Sequence, residues 1–324
     1  MANILITNDC NLKCEYCFAE NELERGKNKH NQISMEDFDK RIEYLKRSHS
    51  RRIGIIGGEP TLHTELFQLI DRSLESGLDV LIFTNGTMSP ERSKKLAEYK
   101  GRNVSFLLNL NDKGFYTAGQ LKNIEAFMEN CGQMIGVGYT IYTTDFDLTF
   151  HRDMILKYNL SRQMRLGLAS PIPGLNQKDF FSYDEYKDVG TSIIKNIIML
   201  EKDNILIGFD CGFVMCMFTE EQHGILTTRS GGFKSNCSPI IDIDMKGEVY
   251  HCFPLSQILR QKLTDTTTQQ GLGQFYDSKL KFLKKFGKNS ECFSCVYLER
   301  NQCAGMCYGK ILNSEPQLME QFRS

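Results

Sequence analysis

The sequence predicts an α/β fold in which six strand–helix units form a partial, TIM-like (β/α)6 barrel, followed by a cysteine-rich region. Short β-branched runs alternate with amphipathic helical patterns over about the first two hundred residues, which is typical of parallel βαβ units. After about residue 205 the pattern changes to short apolar runs that contain eight of the twelve cysteines. We therefore expect a barrel domain at residues 1–205 and a second domain at residues 206–324.

Apolar runs and helix-capping residues define the expected elements of the barrel. The strand candidates lie at residues 3–7, 53–56, 80–84, 104–110, 135–142 and 165–168. Between the first strands, Ser34 is followed three residues later by Asp37 and Ser89 precedes Pro90, so each serine is expected to cap a helix. Gly77 is expected to end the helix between them.

Apolar residues at helical spacing mark the faces that these helices bury. A pairing of Ser182 with Glu185 is expected to open the last helix as a capping box. The apolar stripes consist of Phe38, Ile42 and Leu45; Leu66, Ile70 and Leu74; Leu121, Ile124 and Met128; Phe150, Met154 and Tyr158; and Tyr186, Val189, Ile193, Ile197 and Leu200.

Composition excludes several classes of partner. The chain has 324 residues, of which 41% are hydrophobic, and its 39 basic and 40 acidic residues give a net charge of -1, so it has no overall positive field for nucleic acid or an anionic membrane. No secretory signal or membrane-spanning apolar run is present in the sequence, and a cytoplasmic location is expected. In a reducing compartment, clustered cysteines indicate metal ligation rather than disulfides.

Three cysteines follow the first strand directly. Cys10, Cys14 and Cys17 have the spacing C-x3-C-x2-C, and three thiolates so close together can hold one iron-sulfur cluster. A cubane cluster would then keep one iron open for a ligand that is not a protein residue. A zinc site is the alternative, but structural zinc usually has four ligands and no histidine lies nearby.

A second motif stands at the end of the second strand. Gly57, Gly58, Glu59 and Pro60 combine two residues that permit close backbone approach with a carboxylate that can accept from an ammonium group. Together with the cysteine trio, in which Tyr16 is the aromatic residue, this motif resembles the radical S-adenosylmethionine (radical SAM) enzymes.

The resemblance implies a partial barrel in which S-adenosyl-L-methionine (SAM) binds the open iron of a 4Fe-4S cluster. It implies that Gly57, Gly58, Glu59 and Pro60 form the cofactor site at the amino end of SAM. The backbone around Tyr16 and Phe18 would face the adenine. Asn85 and Asn109, at the ends of the third and fourth strands, correspond to positions where family members contact the ribose or carboxylate of SAM, although asparagine is also an ordinary turn former.

The C-terminal cysteines resemble the SPASM extension of radical SAM enzymes, which holds two auxiliary 4Fe-4S clusters. Six cysteines match that extension, namely Cys237, Cys252, Cys292, Cys295, Cys303 and Cys307. Cys211 and Cys216 lie upstream and complete a count of eight, which is enough for two sets of four ligands. By the same resemblance, three of them (Cys237, Cys252 and Cys307) would share a cluster with Cys216 or Cys211, and another three (Cys292, Cys295 and Cys303) would begin the other. The last ligand of that second cluster stays open between Cys211, an oxygen or nitrogen ligand, and a position for substrate.

Two features of the same region have plainer alternatives. A zinc ribbon formed by Cys292, Cys295, Cys303 and Cys307 would satisfy tetrahedral zinc. Asp210, beside Cys211, is a candidate catalytic base near the substrate, with a turn or capping role as the alternative.

Two further expectations concern local structure in and after the barrel. Residues 240–251 are expected to form a β-hairpin with Gly247 in its turn, which would bring Cys237 and Cys252 together at the open end. Cys131 is expected to be a buried structural thiol that binds no metal.

The resemblance implies reductive cleavage of SAM to a 5′-deoxyadenosyl radical that abstracts a hydrogen from the substrate. Many relatives with the extension act on peptides, so our first expectation is a peptide maturase that forms a thioether or carbon–carbon crosslink in a ribosomal peptide. An external one-electron donor of the flavodoxin or ferredoxin type is then required. Only nine residues precede Cys10, so the leader-binding domain of many such maturases is not expected here, which weakens the peptide interpretation unless a separate protein recognises the leader peptide.

Two rival functions are kept open. One is a radical SAM dehydrogenase of a small alcohol or sugar, and the other is a non-catalytic iron-sulfur electron-transfer protein. Sulfatase maturation is disfavoured, because relatives with that activity place an aspartate after the cysteine that corresponds to Cys252, whereas this chain has Phe253.

Overall fold

The barrel is built on one sheet of ten strands in a computed structural model of the protein. The structure describes residues 1–26, 31–174, 180–233, 235–237, 240–287 and 289–322. The strands are β1 (Ala2–Leu5), β2 (Arg52–Ile56), β3 (Asp79–Thr84), β4 (Val104–Asn109), β5 (Ile135–Ile141), β6 (Gln163–Leu168), β7 (Leu206–Phe209), β8 (Asp242–Ile243), β9 (Glu248–Tyr250) and β10 (Arg260–Lys262). The six strands predicted for the barrel are therefore confirmed, and each differs by a few residues at most from its expected bounds.

The strands pair in the order β10-β9-β8-β1-β2-β3-β4-β5-β6-β7. From β1 to β7 each strand is parallel to the next, as short connections through helices on one side of a twisted sheet require. Within the described residues β7 pairs only with β6, so the barrel is open on that side. The parallel sheet thus continues one strand past residue 205, where we placed the domain boundary.

Helices cover the outside of the barrel. The described helices, including those that follow the barrel, are α1 (Glu20–Gly26), α2 (Met35–Arg47), α3 (Leu66–Glu75), α4 (Pro90–Ala97), α5 (Ala118–Cys131), α6 (Thr149–Lys157), α7 (Tyr186–Glu201), α8 (Glu220–Arg229), α9 (Gln269–Leu280), α10 (Val296–Glu299) and α11 (Tyr308–Ser314). In the described part of the chain, no helix is long and apolar enough to cross a bilayer.

The predicted helix starts are largely confirmed. Ser34 and Ser89 cap α2 and α4, and their side chains accept hydrogen bonds from the backbone N–H groups of Asp37 and Arg92. Glu185 accepts a hydrogen bond from the backbone N–H of Ser182 at 2.8 Å, but α7 begins only at Tyr186, so this contact closes the turn before the helix.

Side chains alternate between the two faces of the barrel strands. In β3, for example, Val80 and Ile82 are buried against the helices, whereas Leu81 and Phe83 are half-buried toward the lumen. Arg165 on β6 reaches across to Phe83, with its guanidinium carbon 5.7 Å from the ring centre. The lumen therefore carries a charged side chain rather than a closed apolar core.

The C-terminal hairpin joins the barrel directly. Strand β8 is parallel to β1 and antiparallel to β9, and Gly247 in the turn has a φ of 82°, as predicted. Asn3 Nδ2 donates to Asp242 Oδ1 at 2.8 Å across the β1–β8 pair. Arg260 also forms a salt bridge with Glu22 of α1. The region after the barrel is thus anchored beside the segment that follows β1.

Candidate metal and cofactor site

The cysteine trio lies in the loop between β1 and α1, at the carboxyl end of the first strand. The backbone N–H of Cys17 donates to the carbonyl of Cys14 at 3.0 Å, so the loop is a tight turn rather than an extended arm. Burial, followed by repulsion from Cys10, raises the pKa of Cys14, and burial raises that of Cys17 to about 11. Binding of a metal by these thiols requires the release of their protons.

The two glycines of the second motif let the end of β2 approach this loop. A Cβ atom at Gly57 would lie 2.6 Å from the carbonyl oxygen of Thr7, and one at Gly58 would lie 2.3 Å from the carbonyl oxygen of Asp9 and 2.8 Å from Cys10 Cβ. The backbone N–H of Gly58 donates to Thr7 O at 2.9 Å. The glycines thus permit close contact between the two motifs.

Glu59 is almost fully buried and its carboxylate is engaged by protein groups. Its Oε1 accepts from the backbone N–H of Thr61 at 3.0 Å and from the hydroxyls of Thr61 and Thr84 at 2.6 and 2.7 Å. Its Oε2 accepts from the backbone N–H of Asn85 at 2.7 Å. Burial raises the pKa of Glu59, while these donors stabilise the ionised form. The side chain therefore joins the ends of β2 and β3.

Asn85 connects the end of β3 to the cysteine loop. Its Nδ2 donates to Asn11 Oδ1 at 2.9 Å, and its Oδ1 accepts from the hydroxyl of Thr87 at 2.7 Å. Asn11 Nδ2 in turn donates to the Thr87 hydroxyl at 2.8 Å. The predicted asparagine is thus part of a polar network beside the trio, with Asn11 and Thr87 as members that the sequence did not indicate.

Asn109 lies exposed at the end of β4, and a Cβ atom at Gly138 on β5 would lie only 2.9 Å from its Oδ1. The absence of a side chain at Gly138 therefore keeps the Asn109 amide accessible at this edge of the sheet.

Tyr16 is held by a polar contact that the sequence did not predict. Its hydroxyl donates to Asn111 Oδ1, and its ring stacks on Tyr142 with the centroids 5.0 Å apart. Phe18 remains 44% exposed and contacts Phe253 at a centroid distance of 5.2 Å. Since Phe253 follows Cys252, this pair joins the loop of the trio to the C-terminal cysteines.

Asp210 lies at the end of β7 in an ion pair. Its Oδ1 accepts from Arg165 Nε at 2.6 Å, and Arg165 Nη2 also contacts this oxygen. A Cβ atom at Gly167 would lie 3.5 Å from Asp210 Oδ2, so the second oxygen faces a strand position without a side chain. Burial raises the pKa of Asp210, and the Arg165 guanidinium partly offsets this effect. The sequence did not indicate Arg165, because its partner comes from another strand.

The eight C-terminal cysteines gather in two groups. The first group comprises Cys211, Cys237, Cys252 and Cys307. A Cβ atom at Gly212, beside Cys211, would lie 4.0 Å from Cys307 Cβ. Burial, with repulsion from Cys307 and Cys211, raises the pKa of Cys237, and burial with repulsion from the other three cysteines raises the pKa of Cys252. This places Cys237 and Cys252 together at the open end of the hairpin, as predicted.

The second group consists of Cys216, Cys292, Cys295 and Cys303, which line one recess with Asn289 and Tyr297. A Cβ atom at Gly287 would lie 1.9 Å from Cys292 Cβ, so the chain passes closely behind this cysteine. The spacing of the cysteines in the sequence did not indicate Cys216 as the fourth member of this group.

The donor chemistry of these groups fits iron-sulfur clusters. Three cysteines share the N-terminal loop, and four share each C-terminal group, which are the numbers that a cluster with an open iron and two fully ligated clusters need. Among the described residues, no three Cys, His, Asp or Glu side chains are arranged to hold a single metal ion. Cys131 is buried at the end of α5, and its thiol approaches Ser93 O at 3.7 Å.

Comparison with known proteins identifies the N-terminal region. Residues 4–152 match the radical SAM superfamily. The chain is 32% identical over 145 residues to the Fe-coproporphyrin III synthase of Methanosarcina barkeri, an alignment that covers 42% of this chain and 35% of that protein. It is also 32% identical over 114 residues to a probable GTP 3′,8-cyclase of Methanocella arvoryzae, covering 35% of this chain and 36% of that protein. The chain thus spans only about a third of the length of these curated relatives.

Solved structures resemble the chain over almost all of its length. Streptococcus suis SuiB bound to the precursor peptide SuiA superposes with a TM-score of 0.65 at 18% identity, covering 95% of this chain and 71% of SuiB. The protein anSMEcpe with bound AdoMet superposes with a TM-score of 0.63 at 19% identity, covering 99% of this chain and 91% of that one. At such identities the likeness shows the fold alone, and it confirms the predicted partial barrel.

The family implies SAM and one 4Fe-4S cluster as cofactors. The chain therefore contains a radical SAM superfamily domain at residues 4–152, and a cysteine-rich region follows it.

Proposed function

We propose that the protein is a radical SAM peptide maturase that carries two auxiliary 4Fe-4S clusters and forms a thioether or carbon–carbon crosslink. The observation that carries the proposal is the gathering of eight cysteines into two groups of four beside the open barrel. The peptide substrate is supported by the likeness in fold to SuiB, which was solved with a precursor peptide.

The N-terminal site is proposed to use Cys10, Cys14 and Cys17 as cluster ligands. When bound, the cluster and SAM supply the reductive cleavage of SAM and the abstraction of a hydrogen atom from the substrate. The carboxylate of Glu59 is occupied by four protein donors, so we assign the amino end of SAM to backbone groups near Gly57 and Gly58. Glu59 itself acts by keeping the ends of β2 and β3 in place.

The adenosyl part of SAM is proposed to lie across the carboxyl ends of β1, β3 and β4. The backbone near Tyr16 and Phe18 supplies one wall, and the contact of Tyr16 with Asn111 and Tyr142 keeps that wall in place. Asn85 and Asn109 supply amide groups at the other strands.

Asp210 is proposed to face the substrate in the lumen. One oxygen is occupied by Arg165, so the second is the one available to accept a proton from the substrate. Arg165 keeps the carboxylate oriented.

Two partners follow from this proposal. An external one-electron donor of the flavodoxin or ferredoxin type must reduce the N-terminal cluster, because SAM cleavage consumes an electron. A separate protein that recognises a leader peptide is proposed as the second partner.

A small molecule is the second candidate substrate, with oxidation of an alcohol or sugar as its simplest reaction. It is favoured by the curated relatives, which are a coproporphyrin synthase and probable GTP cyclases rather than peptide-modifying enzymes. An electron carrier without catalysis is disfavoured, because it would not need a superfamily domain with both SAM motifs.

The test combines cofactor turnover with substrate mass. The anaerobically reconstituted full chain is incubated with dithionite and SAM, alone, with peptides encoded beside its gene, or with small alcohols and sugars, and 5′-deoxyadenosine and the masses of the added compounds are measured. We expect SAM cleavage in every case and loss of two hydrogens from one peptide, and neither with Cys14→Ala. SAM cleavage with all peptides unchanged but an alcohol or sugar oxidised would support the second candidate, and no cleavage at all would refute both.

A further inference from the structure

We propose that residues 211–216, which leave the last barrel strand β7, donate one ligand to each auxiliary cluster: Cys211 to the first group and Cys216 to the second. The inference rests on the proposed auxiliary clusters and specifies their ligands. For the second cluster the sequence left the last ligand open between Cys211, an oxygen or nitrogen ligand and a position for substrate. Cys216 is not among these choices, because the sequence indicated it only as a ligand of the first cluster.

The start of this segment lies against the first group. Cys211 follows Asp210 directly, and Asp210 is tied to β6 through Arg165. Gly212 has a φ of 102°, and a Cβ atom there would lie 4.0 Å from the Cβ of Cys307. Cys211 is exposed and precedes Gly212 in the chain. Cys211 is therefore close to Cys307.

The middle of the segment is anchored between the groups. Phe213 and Val214 are buried, which fixes the chain between the two cysteines. Ser235 Oγ lies 2.9 Å from the carbonyl oxygen of Phe213 and 3.2 Å from Cys303 Sγ. One hydroxyl thus connects the segment to a cysteine of the second group.

The end of the segment carries Cys216 into the second recess. Cys216 sits in a short 3-10 turn, Met215–Met217, and a Cβ atom at Gly190 of α7 would lie 2.0 Å from the carbonyl oxygen of Met217. The helix therefore presses directly on the turn and fixes its direction. Cys216 lines the recess with Cys295.

This arrangement has a structural consequence. Both clusters would be attached to the carboxyl end of β7 through one six-residue segment, so their positions relative to the lumen would be set by the barrel. The fourth ligand of the second cluster then comes from upstream of the other three in the chain.

The test removes each cysteine in two backgrounds. Iron and sulfide per chain, and EPR spectra after dithionite reduction, are measured for the anaerobically reconstituted full chain. In a background that lacks the second site, Cys292→Ala/Cys295→Ala, addition of Cys216→Ala should cause no further iron loss, whereas addition of Cys211→Ala should remove about four more irons. In a Cys237→Ala/Cys252→Ala background, which lacks the first site, addition of Cys211→Ala should cause no further iron loss, whereas addition of Cys216→Ala should remove about four more irons.

Controls separate failure of the assignment from failure of the proposed function. Cys131→Ala, which removes a buried thiol outside the groups, should leave the iron content at about twelve per chain. A parent chain with about twelve irons but the opposite pattern of losses would overturn the assignment alone. A parent with only about four irons would overturn the auxiliary clusters and the assignment with them.

A second substitution covers the case in which Cys216→Ala does not fold. Cys216→Ser keeps the size of the side chain and offers an oxygen ligand, so it should retain the iron and change the EPR spectrum of the second cluster only. A change confined to the first cluster, or no change at all, would contradict the assignment.

Discussion

Glu59 offers the sharpest test of how the second motif works. In Glu59→Gln the amide can keep Oε1 with its three donors, but an NH2 group then faces the backbone N–H of Asn85, which loses its acceptor. A buried donor without a partner costs about 1–3 kcal/mol of folding free energy. At about 2–4 °C per kcal/mol, we expect the melting temperature to fall by about 2–12 °C.

The assay is thermal unfolding followed by circular dichroism under anaerobic conditions, paired with calorimetric titration of SAM. Glu65→Gln is the matched control, because Glu65 is exposed and its side chain makes no capping bond at the start of α3. If Glu59 acts within the protein, the melting temperature falls and SAM affinity changes little. If its carboxylate held the ammonium of SAM, losing a charged hydrogen bond of about 1.5–3 kcal/mol would weaken binding by about 10- to 150-fold. A 10- to 150-fold loss of SAM affinity in Glu59→Gln with an unchanged melting temperature would refute the view that Glu59 acts only within the protein.

Three further predictions concern the lumen and the isolated thiol. Burial raises the pKa of Asp242 to about 7 from an ordinary value of 3.8. Between about pH 4 and pH 7 the folded state therefore keeps a proton that the unfolded chain releases, and the free energy of unfolding falls as the pH rises through this range. Asp242→Asn should therefore stabilise the protein by about 4 kcal/mol at pH 8 and hardly at all at pH 4, and equal melting-temperature shifts at both would contradict this. Asp210→Asn should lower substrate turnover by about 10²-fold or more while iron content is unchanged, and full turnover would limit Asp210 to its structural pairing with Arg165. Cys131→Ser should leave iron content unchanged in elemental analysis, and a loss of iron would show that this thiol is a ligand.

The strands and caps of the barrel could be predicted because their signals are local. A strand such as Val104–Asn109 alternates between the helices and the lumen within six residues, and Ser89 caps its helix through a neighbour three residues away. The strand β7 was harder to predict, since its four residues carry only a short apolar signal and its place in the sheet depends on pairing with β6.

The residue types of the site could be predicted from the sequence, but the hydrogen-bond partners of those residues could not. The two motifs identified the cysteine loop and the glycine pair, yet the part of Glu59 depends on Thr84 and Asn85, which belong to the next strand. In the same way, Asp210 was singled out without Arg165, 45 residues away. Spacing in the chain indicates which side chains can bind or react, whereas strand pairing in the sheet determines which of them come into contact.

Phe253, the residue on which sulfatase maturation was disfavoured, contacts Phe18 and has a packing role of its own. Each phenylalanine follows a cysteine, Cys17 in the N-terminal loop and Cys252 in the first C-terminal group, and their rings lie 5.2 Å apart. Phe253 is 8% exposed and packs with Leu5, Leu23 and Tyr250 in a small core of its own. An aspartate at this position would place a carboxylate in that apolar core, which is costly without a charged partner. Phe253 therefore packs the loop that carries Cys17 against the segment that carries Cys252, and it contributes to joining the C-terminal region to the barrel.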